Sequence, residues 1–181
     1  QLIFNKILRV AQVELISDLH DFIHVKDVAK MNYSTTSISD VPVFYPDGLL
    51  HQSGISNIKP IFKTHNNLLA AFFYPKDILE NSTAQKSIFP FDPFALAFYL
   101  VSRYEEYLDF IPDQYGRFPA SASTAFKNGF LQKPLVNVWA LKVKEIITKY
   151  YPKLQFNQSD YQFTPTYDID HAFAFLKKGT I

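Results

Sequence analysis

Residues 89–108 read FPFDPFALAFYLVSRYEEYL, and the Asp92-Pro93 step within them sets the start of the main helix. Asp at a helix start accepts hydrogen bonds from amides that have no intrahelical partner, and Pro is pre-set for the first helical position. Phe94, Ala97, Phe98, Val101, Tyr104 and Leu108 then fall on one face, with Arg103, Glu106 and Asp109 away from it. The middle of the segment is apolar nearly all round, which predicts a central helix.

Elements of both kinds lie on either side. Leu2, Ile3, Ile7, Leu8 and Val10 have helical spacing, and 12–16 (QVELI) alternates like a strand. Residues 17–40 are mixed, with a loop at 34–39. Residues 41–45 (VPVFY) are β-branched and aromatic, a strand candidate that runs into the turn signal Pro46-Asp47-Gly48. Strands are expected near 58–64 and 68–74, joined through His65-Asn66-Asn67 as a hairpin. Residues 110–133 have no period, and a loop of that length is expected to be functional or mobile. A second helix is expected over 134–150, with Val136, Trp139 or Ala140, Val143, Ile146 or Ile147 and Tyr150 inward. Its lysines 142 and 149, with Lys153 beyond, read as a solvated face. Pro152 ends it, 154–160 reads as a linker, and 161–170 (YQFTPTYDID) as a strand closing on two acids. The expectation is an α/β fold, a mixed β-sheet flanked by helices, with an αβββαβ-like core as one arrangement.

Composition narrows the function classes. The 181 residues are 48% hydrophobic and 19% charged, which excludes a disordered or collagen-like chain. The net charge of +1 gives no pull toward nucleic acid or an anionic membrane. No Cys is present, so thiolate chemistry and Cys-based zinc sites are excluded. Apolar runs fall far short of the ~20 residues of a membrane span. No Gly-rich phosphate loop and no Gly-x-Ser-x-Gly elbow occurs. Location leans to the cytoplasm. The single Met is Met31 and the chain opens on Gln1, so it is expected to be cut at both ends.

Thr166-Tyr167-Asp168-Ile169-Asp170 carries the most chemistry. Carboxylates on alternate strand residues share a face, and one can bind a divalent metal while the other serves as general base. A strand-end acid pair that faces solvent or caps a helix is the ordinary alternative. His20 and His24, with Asp18 and Asp21, form a second candidate metal cluster, against exposed surface residues. Asp47 and Ile61-Phe62-Lys63 sit near where restriction-endonuclease-like folds carry Mg²⁺ ligands, but Ile61 occupies the second acid position. That leaves the fold without nuclease activity. Arg103 with Glu106 reads as a helical ion pair, and Arg117 as a tie for the long loop. Tyr99, Tyr104, Tyr107, Tyr115 and Trp139 have sugar-stacking chemistry, with core packing the default.

The stretches 89–108, DQYGRF (113–118), AFKNGFLQKPLVNVWAL (125–141) and TYDIDHAFAF (166–175) resemble bacterial polysaccharide deacetylase-like proteins. Those carry an N-terminal accessory domain ahead of a deacetylase (NodB-homology) domain. The resemblance implies an accessory α/β domain over 1–155 and the truncated start of a (β/α)-barrel domain over 156–181. It implies Asp168 as catalytic base and Asp170 as metal ligand, with zinc the expected metal of the longer protein and none held by this segment. Tyr167 stands where the family has Phe and Ile169 is inserted between the acids, so the two roles are exchangeable. The implied partners are a catalytic domain in cis and an acetylated glycan. The segment itself is expected to be inactive, since such a barrel takes ~200 residues or more. The competing expectation is a glycan- or protein-binding module.

Overall fold

The computed structural model describes residues 2–10, 12–75, 85–157 and 161–168. In chain order come a π-type turn (Leu2–Ile7), α1 (Leu19–His24), a 3₁₀ turn (Leu49–His51), β1 (Lys63–His65) and β2 (Leu68–Ala70). Then follow α2 (Pro93–Val101), 3₁₀ turns at Tyr104–Tyr107 and Ala120–Ala122, α3 (Thr124–Lys127) and α4 (Leu135–Tyr150). The protein is an α/β chain whose described residues form helices and a two-stranded antiparallel sheet. Among the described residues no helix is long and apolar enough to cross a membrane.

The hairpin forms around the expected connection, but its strands are shorter than the expected 58–64 and 68–74: Lys63–His65 and Leu68–Ala70. Asn66 and Asn67 hold φ of +48° and +62°. A two-residue hairpin turn of this hand needs positive φ at both positions, which Asn tolerates. His65 therefore pairs with Leu68 and Lys63 with Ala70. At Phe72 the backbone turns left-handed, with φ of +64°. The chain then pairs antiparallel with 90–92: the Asp92 amide donates to the Phe72 carbonyl and the Tyr74 amide to Pro90. This pairing delivers the chain to the start of α2.

Asp92 is fully buried, and its carboxylate is saturated with donors. Oδ1 accepts from the Phe94 and Ala95 amides at 2.9 and 3.0 Å. Oδ2 accepts from the Tyr33 hydroxyl at 2.7 Å and the Asp47 amide at 2.9 Å. Burying a carboxylate is costly without such partners, and the positive end of α2 favours the charge as well. One side chain thus caps the helix and fastens the 33 and 47 segments to it.

The main core lies between the hairpin, α2 and α4. Leu96 and Tyr99 of α2 meet Trp139, Val143 and Ile147 of α4. Trp139 stands edge-on to Phe91 at 4.7 Å and to Phe89 at 5.4 Å, and its Nε1–H donates to the Leu69 carbonyl at 2.7 Å. A smaller cluster joins Ile3 and Leu8 to Ala97 of α2 and Ala140 of α4.

Several expectations give way. The 2–10 helix is a wider π-type turn, closed by a bond from the Leu8 amide to the Ile3 carbonyl. That spacing seats both side chains on the two alanines. Residues 12–16 form no strand, because their alternation meets no partner strand among the described residues. Residues 41–45 are buried but, among the described residues, make only one bridge, parallel, between Val43 and Asn32. Pro42 and Pro46 remove the amides a ladder there would use. The mixed sheet is accordingly limited, among the described residues, to the β1–β2 ladder, this parallel bridge and an antiparallel one, Phe73 with Phe91. Among the described residues no third strand joins this ladder, so they do not form an αβββαβ core.

The main helix stops at Val101 rather than running to Leu108. Its buried side is Ala95, Leu96, Ala97 and Tyr99, while Phe98 and Val101 are 42% and 50% exposed. In a segment apolar nearly all round the period carries no phase, so the inward side is set by what packs on it. The second helix runs from Leu135 to Tyr150 with Trp139, Ala140, Val143 and Ile147 inward, as expected; Tyr150 faces out. The described part of the expected 161–170 strand, 161–168, forms no strand and is exposed throughout.

Replacing Asp92 tests its role. Asp92→Ala removes the cap, worth about 0.5–2 kcal/mol, and leaves the Tyr33 hydroxyl and Asp47 amide without acceptors, at about 1–3 kcal/mol each. We expect a loss on the order of 3–5 kcal/mol in denaturant unfolding. Asp92→Asn keeps an acceptor for the cap but turns an amide donor toward two donors, so it falls between Ala and the native chain. A loss under about 1 kcal/mol for Asp92→Ala would remove Asp92 from its central place.

Candidate binding cleft

The break after α2 opens a recess on the protein surface. Arg103 takes a left-handed conformation (φ +53°), which swings Tyr104 into the core and Glu105 toward the long loop. The Tyr104 hydroxyl accepts from the Ser56 amide at 2.7 Å and donates to the Ser56 carbonyl at 3.2 Å. The Glu105 carboxylate accepts from the Thr124 amide at 2.7 Å and from the Thr124 hydroxyl. It thereby holds the start of α3, where the Ser123 hydroxyl also accepts from the Phe126 amide.

The 110–133 stretch is therefore ordered by local bonds, not left as an open loop. Asp113 accepts from the Tyr115 and Arg117 amides at 2.8 and 2.9 Å, and its other oxygen meets the Arg117 guanidinium at 3.1 Å. The Arg117 amide bond, with help from Tyr115 and the guanidinium, holds the Asp113 carboxyl below the usual range. Arg117 also lies over the Tyr115 ring, 4.6 Å from its centre. Phe110 and Phe118 pack edge to face at 5.1 Å.

These pieces enclose a cleft of about 860 Å³. Its wall includes Phe110, Phe118 and Tyr99, the acids Glu105, Asp109 and Asp113, and Lys59, Lys127 and Asn128. Burial pushes the Tyr99 hydroxyl up, with the Glu105 charge adding and a Thr124 bond opposing.

The residues singled out from sequence scatter. Asp168 is exposed, and Asp170 lies outside the described residues. Asp168 belongs to no group of three metal-ligating side chains among the described residues, so these residues do not assemble a zinc site around it. Asp18, His20 and Asp21 do come together, all exposed, at the start of α1. Asp18 is already used as the helix cap, accepting from the Asp21 amide at 2.9 Å. His24 is not one of the three, though its ring lies 4.0 Å from that of His20 and its Nδ1–H donates to the His20 carbonyl at 2.7 Å. Asp47 serves the fold, lending its backbone amide to Asp92. Arg103 pairs with Glu106, as its spacing suggested. Tyr99, Tyr104 and Trp139 are buried; Tyr107 and Tyr115 are exposed.

Glu105, Asp109, Asp113, Phe110 and Phe118 are the cleft residues that sequence reasoning passed over or read otherwise. The usable signal was Asp113-x-Tyr115-Gly116-Arg117, an Asp followed by a Gly turn, which marks an ordered tip.

Fold and cleft together define an α/β module with an organised surface recess on its loop side. Residues 1–152 match DUF7033, a family of unknown function, and the chain belongs to that family. No curated protein and no solved structure matches it.

Asp47 gives a pH test. Burial pushes its carboxyl up, the Asp92 charge adds to this, and a bond from the Leu49 amide opposes it. A raised carboxyl means the folded state holds the proton more tightly than the unfolded chain. The associated stability is present below the ordinary Asp range and is lost as pH rises through the raised value. Asp47→Asn keeps the amide bond to Asp92 and removes the repulsion. We expect its melting temperature, relative to the native chain, to improve between pH 4 and pH 7. A relative melting temperature that falls over this interval contradicts the assignment.

Proposed function

We propose that this chain is a non-catalytic accessory module of a metal-dependent carbohydrate deacetylase-like protein. Residues 1–155 form the accessory α/β unit and 156–181 open a (β/α)-barrel domain. The observation that carries this reading is the state of 161–168. Tyr161, Phe163 and Tyr167 alternate with polar residues, as in a strand with one buried face, yet they are 89%, 76% and 82% exposed. Aromatics in that pattern fit a partner that a following domain would supply. The family match, ending at 152, supports the same boundary.

On this reading Asp168 is the base and Asp170 the metal ligand of the longer protein, with the exchange of roles open. The other zinc ligands would come from the following domain. No catalytic step is assigned to the present chain.

Two measurements bear on it. Deleting 158–181 should leave the melting temperature within about 2 °C, since ~1 kcal/mol moves a domain of this size by about 2–4 °C. Zinc-loaded 1–181 should release no acetate from acetylated oligosaccharide, whereas the longer protein should do so and lose it on Asp168→Asn. Acetate release by 1–181, or an Asp168→Asn protein with full activity, would overturn the proposal.

A further inference from the structure

We propose that the cleft between the Leu108–Pro119 loop and the Ser121–Asn128 segment binds a short neutral oligosaccharide. The inference rests on the cleft alone and stands or falls apart from the deacetylase reading.

The lining selects the ligand class. Three carboxylates (Glu105, Asp109, Asp113) face two lysines (Lys59, Lys127), so the wall has no cationic excess to hold a phosphate or other polyanion. It does not suit a divalent cation either. Glu105 is committed to Thr124 and Asp113 to Arg117, and no group of three metal ligands forms there among the described residues. A purely apolar guest would strand the carboxylates, lysines and the Asn128 amide.

A sugar satisfies both kinds of partner. Each hydroxyl donates and accepts, so one ring can donate to an acid and accept from a lysine or amide. The C–H face of the ring has a surface to lie on: Phe110 is 37% exposed and braced by Phe118. Asp109, also exposed, makes no hydrogen bond or ion pair among the described residues, unlike its two acidic neighbours. The volume falls within the ~300–1,000 Å³ typical of small-ligand sites. The cleft is also pre-formed, because Glu105 and Asp113 lock its two sides by hydrogen bonds, which lowers the ordering cost of binding.

The test is a ¹⁵N-NMR titration of the whole chain. The probes are the tetramer of N-acetylglucosamine, the β-1,4 tetramer of glucose, and an uncharged peptide of similar mass. At least one saccharide should shift amides within 105–128, with both Phe110→Ala and Asp109→Asn weakening it about tenfold. Both positions are exposed, and the unperturbed remainder of the spectrum confirms that each variant is folded. No shift from either saccharide to about 10 mM would overturn the proposal, as would shifts centred elsewhere. Binding unchanged in both variants, or the peptide engaging the same amides more tightly than either sugar, would do so too.

Discussion

Asp92 puts a carboxylate where no water reaches it and surrounds it with four donors. Two come from the first turn of α2, one from Tyr33 and one from the backbone of Asp47. A buried charge tolerates no loose partner, so each donor must arrive in place for the others to be worthwhile. Two distant stretches of chain are thereby fixed relative to one helix end. From that point α2 lies on α4, and Trp139 ties α4 back to the hairpin through Leu69.

The cleft is a consequence of how α2 ends. Arg103 turns the chain so that Tyr104 enters the core and Glu105 leaves it. The same residue pair anchors the Ser56 segment on one side and α3 on the other. A continuous helix to Leu108 would have kept the two residues on one rigid rod and left the long loop without its tie. The recess is thus built by rigid elements of the fold, and its chemistry comes from a loop they hold in shape.

What could be read from sequence was what is decided locally. The Asp92-Pro93 cap, the Asn66-Asn67 turn and the inward stripe of α4 each depend on residues within one or two turns of each other. What could not be read depends on distant partners. Nothing near Asp92 signals Tyr33, which is 59 residues away. The inward side of α2 had no polar residues to give it phase. The strand expected at 41–45 was undone by its own prolines, a local signal that its β-branched and aromatic residues masked. Of the candidate site, the sequence offered Asp168 and Asp170, while the described recess is lined from residues 59, 99 and 105–128, brought together only by folding.

Asp92 locks the module together, and the described residues 161–168 lie exposed outside its core. Hydrogen exchange followed by mass spectrometry on the 181-residue chain tests this directly. Peptides covering 92–100 and 139–147 should exchange last, through global unfolding, while 161–168 should exchange at the rate of an unprotected chain. Early exchange across 92–100, or strong protection over 161–168, would contradict the account.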